Sequence, residues 1–92
     1  VDIEFVDAAA AHRFELHVGD EVVGFLLYRL RDDHITLVHT EVDPAHGGQG
    51  YAAKLAKGAL DDARERGLTV VPSCPYVASY IRKHPEYADL VA

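Results

Sequence analysis

Apolar and polar side chains alternate along the first half of the chain and then switch to helical spacing. In residues 13–18, Phe14, Leu16 and Val18 alternate with Arg13, Glu15 and His17, the period of two that marks a half-buried strand. Ile3, Phe5 and Val6 predict a short opening strand, with the Ala-rich stretch 8–11 as its connection onward. Gly19-Asp20 is a tight hairpin signal leading into a strand over 21–30. Arg31-Asp32-Asp33 is a second polar turn, followed by a strand over 34–42. Asp43-Pro44 ends that strand, because proline cannot donate to a ladder.

From Tyr51 onward Ala52, Leu55, Ala56, Ala59, Leu60 and Ala63 recur at spacings of three and four, while Lys54, Lys57, Asp61, Asp62, Arg64 and Glu65 take the outer faces. This is an amphipathic helix, and Gly67 after Arg66 is a natural stop. Residues 68–71, rich in β-branched side chains, predict a short strand buried on both faces. Pro72-Ser73-Cys74-Pro75 breaks it, and 76–83 predict a short second helix ending before Pro85. A strand–helix–strand crossover makes its two strands parallel. The expected fold is therefore α+β: an antiparallel meander, then strand, Gly-rich loop, helix, strand and short helix, on one mixed sheet.

A length of 92 residues, 49% of them hydrophobic, allows one domain over 1–92. Nine Lys+Arg against fifteen Asp+Glu give a net charge of −6, which argues against nucleic acid or an anionic membrane as partner. The longest apolar run, 22–28, contains Gly24 and is far too short to span a bilayer. A single Cys excludes an internal disulfide framework and fits a reducing compartment. With no basic leader ahead of an apolar core, a cytoplasmic location is expected. The six His fall in different elements without a pair on one helical turn, so no metal site is expected.

Residues 41–52 are the most informative: Glu41-Val42-Asp43-Pro44-Ala45-His46-Gly47-Gly48-Gln49-Gly50-Tyr51-Ala52. Glycines between a strand and a helix allow unusual backbone conformations and leave the helix's first N–H groups unpaired. The helix dipole adds partial positive charge there, so such a loop suits a phosphate. An acidic protein can hold an anion in this way without a Lys or Arg. The spacing fits neither the dinucleotide loop G-x-G-x-x-G nor the nucleoside-triphosphate loop G-x-x-x-x-G-K-[S/T]. The bland alternative is a turn that merely lets strand and helix pack closely.

Val42-Asp43-Pro44 followed by Gly48-Gln49-Gly50-Tyr51-Ala52 resembles the acyl-coenzyme A loop of the GNAT-superfamily N-acetyltransferases. The signature Gln/Arg-x-x-Gly-x-Gly/Ala falls on Gly47, Gly50 and Ala52. Gly47 stands where Gln or Arg is usual. His39-Thr40-Glu41-Val42, Ala59-Leu60-Asp61, Pro72-x-Cys74-Pro75-Tyr76 and Tyr80-Ile81-x-x-His84-Pro85-x-Tyr87 extend the likeness from Phe14 to Leu90, towards the compact single-domain GNAT-like proteins. The resemblance implies acetyl-CoA as acyl donor, its pyrophosphate on the backbone of Gly47, Gly48, Gln49, Gly50, Tyr51 and Ala52. It implies pantetheine along Thr40 and Val42, in a V-shaped gap against the last strand, near Cys74 and Tyr76.

Acetyl transfer to an amine needs a base, a polarised thioester and a proton for the leaving thiolate. His39 and Glu41 are two apart on a strand and share a face. Strict alternation puts Leu37 on their side, and Val38, Thr40 and Val42 on the other. That leaves open whether His39 and Glu41 meet a substrate or solvent. Cys74 is a candidate proton-transfer partner for His39 or a transient acetyl acceptor; a buried, inert thiol is the alternative. Tyr76 and Tyr80 share a helical face, and the resemblance suggests Tyr80 or Tyr76 as general acid, against a purely packing role for both.

The expected function is acetyl-CoA-dependent N-acetyl transfer to an unidentified amine. A CoA-binding module with little catalysis is the alternative, because larger relatives build their acceptor site from helices that have almost no room between Val6 and Arg13. An interaction domain that keeps only the fold is a third. The open cleft leaves room for completion by a second copy of the chain.

Overall fold

The computed structural model describes residues 2–92; Val1, the first residue of the domain expected over 1–92, lies outside the described residues. Five strands, β1 (Ile3–Ala8), β2 (Arg13–Val18), β3 (Glu21–Arg31), β4 (His34–Val42) and β5 (Thr69–Pro72), form one sheet in chain order. The first four pair antiparallel, and β5 pairs parallel to β4. Helix α1 (Tyr51–Glu65) makes the crossover and α2 (Pro75–Lys83) follows β5. Short 3-10 turns at Ala9–Ala11, Pro44–His46 and Pro85–Leu90 complete the chain. This is the α+β mixed sheet that the periodicity predicts. Among the described residues no helix is long and apolar enough to cross a membrane.

The apolar stripe of α1 (Leu55, Ala56, Ala59, Leu60, Ala63) is fully buried against Phe14, Leu16, Leu26, Ile35 and Leu37 of the sheet. Small alanines let the helix lie close, and Gly58 carries this furthest. A Cβ there would sit 2.5–2.8 Å from three ring atoms of Phe5, inside any real contact. Phe5 stacks on Phe14 at a centroid distance of 5.1 Å, and Phe14 tilts against Tyr28 at 4.7 Å. Tyr28 donates its hydroxyl to Asp7 of β1 at 2.7 Å.

One expectation needs correction. The last strand is not buried on both faces: only Val70 is buried, in the core beside α1, while Thr69 and Val71, which point to the other face, are half-exposed; Val91 bridges to Val70 at the strand's outer edge. It also begins at Thr69 and runs through Pro72, whose missing N–H costs nothing at an edge.

Candidate functional site

β4 and β5 pair only from His34↔Thr69 to Leu37↔Pro72. The Cys74 N–H then closes on the Leu37 carbonyl at 2.8 Å. Beyond that link the chain turns into α2, so residues 38–42 have β3 on one side and no strand on the other. The resulting gap is closed at Leu37 and opens toward Val42. At about 3.3 Å per residue its β4 wall is roughly 13 Å long.

The Gly-rich loop stands at the open end. Asp43 starts it by accepting from the Ala45 N–H at 2.9 Å, and the Gly47 N–H turns back to the Pro44 carbonyl at 3.2 Å. Gly48 and Gly50 take left-handed φ of 80° and 75°, which only glycine adopts freely. Gly50 is the N-cap of α1 and brings no side-chain cap. As a result, the N–H groups of Gly48, Gln49, Gly50, Tyr51 and Ala52 have no hydrogen-bond acceptor among the described residues. A Cβ built on Gly48 or Gly50 would meet nothing within 4 Å. Five open donors at a helix N-terminus, facing free space, form an anion cradle.

A β-bulge decides what lines the gap. Leu27 pairs with His39 but Tyr28 pairs with Leu37, so Val38 is an extra residue in β4. The alternation therefore flips. Leu37 shares the helix-packed face with Thr40 and Val42, and not with His39 and Glu41 as strict alternation places it. Thr40 meets Cys74, Oγ1 to Sγ at 3.4 Å. His39 and Glu41 lie on the opposite face, more than half exposed, with Nε2 and Oε1 3.3 Å apart. The expected Cys74–His39 partnership is not formed, because the bulge puts the two side chains on opposite faces.

Cys74 is buried, with 3% of its surface exposed. Burial pushes its pKa up. The Thr40 hydroxyl and the N–H groups of Val77, Tyr76 and Thr40 outweigh that, so the thiol sits below its ordinary value. Tyr76 is exposed at the start of α2. Tyr80 lies elsewhere: its ring stacks on His84 at 3.9 Å and tilts against Tyr87 at 6.2 Å. Burial raises the pKa of both Tyr76 and Tyr80.

One cluster was not visible in the sequence. Glu21, Asp43 and His46 bring potential ligand atoms within 4.8 Å of one another at the surface. His46 Nε2 and Glu21 Oε2 are already 2.9 Å apart. These residues come from the start of β3 and the 3-10 turn after β4, 25 positions apart for His46 and Glu21, which no local pattern reveals.

Comparison with known proteins gives a consistent result. Residues 13–90 match the family model of the GCN5-related N-acetyl-transferases. Over 51 residues the chain is 41% identical to Protein NATD1 of Gallus gallus and of Mus musculus, covering 55% of this chain and 46% of each relative. The match therefore spans about half the length of these curated relatives. Among solved structures, the NMR structure of a GCN5-like protein from Staphylococcus aureus superposes with a TM-score of 0.70 at 27% identity, over 99% of this chain and 87% of that one. A ribosomal-protein-alanine N-acetyltransferase from Brucella melitensis shares the fold with a TM-score of 0.59 at 24% identity, over 87% of this chain and 62% of that one.

Proposed function

We propose that this chain, which belongs to the GCN5-related N-acetyltransferase family, transfers an acetyl group from acetyl-CoA to a small amine. The observation that carries the reading is the row of five open N–H donors from Gly48 to Ala52, which suits the pyrophosphate of coenzyme A. A chain leaving those phosphates along β4 enters the gap beside Val42 and Thr40 and ends near Val38, where the gap closes. Gly47 offers no side chain to the phosphates, so backbone donors carry the binding.

In the reaction the amine nitrogen bonds to the acetyl carbon, the C–S bond breaks, and the amine gives up one proton. Coenzyme A leaves as a thiolate that takes up a proton. His39, 3.3 Å from the Glu41 carboxylate, is assigned to remove the amine proton on the open face. Cys74, held by Thr40 on the gap side, is assigned to protonate the departing thiolate, since a thiol with lowered pKa is the better donor. Tyr80 is engaged with His84 and Tyr87, and the acid role expected for it passes to Cys74. The short connection Ala9–Ala11 favours a second reading, a CoA-binding module with slow turnover.

Calorimetric titration with acetyl-CoA tests the cofactor. Wild type binds; Gly50→Glu, which puts a bulky negative side chain into the cradle, does not. Gly50→Ala carries the same backbone strain of about 1 kcal/mol without the charge and separates misfolding from repulsion. No binding at millimolar acetyl-CoA leaves only an interaction domain. Binding without amine-dependent thiol release supports the CoA-binding module.

A further inference from the structure

Among the described residues no element covers the sheet face opposite the helices. There the β1–β2 connection and the β4 bulge frame a hollow of about 400 Å³. Its apolar side chains are Ala11, Leu27 and Val38. The Arg29 guanidinium and the His12 imidazole line it as well. Neither has an ion-pair partner among the described residues, although the abundant carboxylates of this chain pair with Arg13, Arg64, Arg66 and Lys57. The wall is fixed in place. His12 turns the chain with a φ of 55°, donates its N–H to the Ala9 carbonyl at 3.0 Å and accepts from the Tyr28 N–H at 2.9 Å.

Val38 gives this hollow a bearing on the chemistry. It is the bulge residue, it stands where the β4–β5 gap closes, and it also lines the hollow. We infer that the hollow is the acceptor site and that the acceptor is a small amino acid with an apolar side chain. Its carboxylate lies against Arg29 and His12, its side chain on Leu27 and Ala11, and its amine toward Val38. This rests on the acetyl-transfer reading. A second hollow of about 370 Å³ on the same sheet, beside Val22 and Phe25, is lined instead by Glu41 and Asp43. That lining suits a cationic tail, so the two hollows predict acceptors of opposite charge.

The test compares leucine, leucinamide and a diaminoalkane as acceptors in thiol release from acetyl-CoA. Leucine is preferred over leucinamide by about 10- to 100-fold in kcat/KM, the worth of one charge-assisted hydrogen bond. That ratio collapses toward one in Arg29→Gln and is partly restored in Arg29→Lys. In parallel, N-acetyl-leucine is titrated into 15N-labelled protein, a readout that needs no turnover. The amide signals of Ala11, His12 and Val38 shift in wild type and not in Arg29→Gln, while N-acetyl-leucinamide moves none of them. Turnover that prefers the diamine, with no such shifts, overturns this assignment and leaves acetyl transfer standing. Shifts without turnover by any amine keep the site and refute acetyl transfer. Equal use of leucine and leucinamide overturns the carboxylate contact.

Discussion

Gly58 permits a test in which one substitution changes sign with its neighbour. In the middle of α1, Ala in place of Gly favours the helix by about 0.8–1 kcal/mol. Here the new methyl would lie 2.5–2.8 Å from Phe5 Cε1, Cδ1 and Cζ, where apolar carbons prefer about 3.5–4.0 Å. The ring must retreat by about 1 Å, but it is stacked on Phe14, so overpacking of about 1–3 kcal/mol is incurred. Gly58→Ala is therefore expected to destabilise the domain by about 1 kcal/mol. In a Phe5→Ala background the clash is gone, and the same change should stabilise by nearly the full helix preference. Phe5→Ala itself costs about 2 kcal/mol for a half-buried ring. A domain of this length holds roughly 5–14 kcal/mol, so all four proteins of the cycle stay folded. Urea unfolding followed by circular dichroism, with unchanged m-values, gives the four stabilities. Equal stabilisation by Gly58→Ala in both backgrounds would refute the close approach of β1 to α1.

Two titrations probe other parts of the fold. Burial and the hydrogen bond to Asp7 push Tyr28 up from 10.0 to about 12. A pKa raised on folding stabilises the native state below the unfolded value and is lost as pH rises through the folded one. Stability should thus fall between about pH 10 and pH 12, and the phenolate absorbance of Tyr28 should be regained at lower pH in Asp7→Asn; an unshifted titration would contradict the buried hydrogen bond. At Cys74, Thr40→Val removes one of the groups that hold the thiol pKa down. The pH profile of its alkylation by iodoacetamide should move to higher pH, though only partly, because the backbone donors remain. A profile that does not move means the hydroxyl is not engaged.

Most of the architecture was legible because its elements are buried on one side only. Strand β2 and helix α1 begin where the periods of two and three-to-four begin, and β4 ends where Asp43-Pro44 ends it. The loop was legible because φ near 80° at Gly48 and 75° at Gly50 demands glycine, which leaves a mark in the sequence. The bulge leaves none. Val38 is a β-branched residue that suits a regular strand as well as an irregular one, so nothing signals that the alternation breaks there. For that reason the pattern leaves the face of His39 and Glu41 open and hides that the neighbour of Cys74 is Thr40. The hollow beside Arg29 was equally hidden, since its walls come from the β1–β2 turn, β3 and β4.

The single extra residue at Val38 acts as a parity bit for everything downstream of it in β4. With it, even-numbered Thr40 and Val42 point into the gap and odd-numbered His39 and Glu41 point out. Were Val38 paired as an ordinary strand residue, the ionisable pair would be driven under α1 and the threonine hydroxyl would turn to solvent. The separation of the two faces is therefore encoded by the bulge and not by the identity of the residues on either side of it. Point substitutions along β4 can tune either face on its own, and deleting Val38 would leave both where they are, because Leu37, His39 and Thr40 would then alternate regularly.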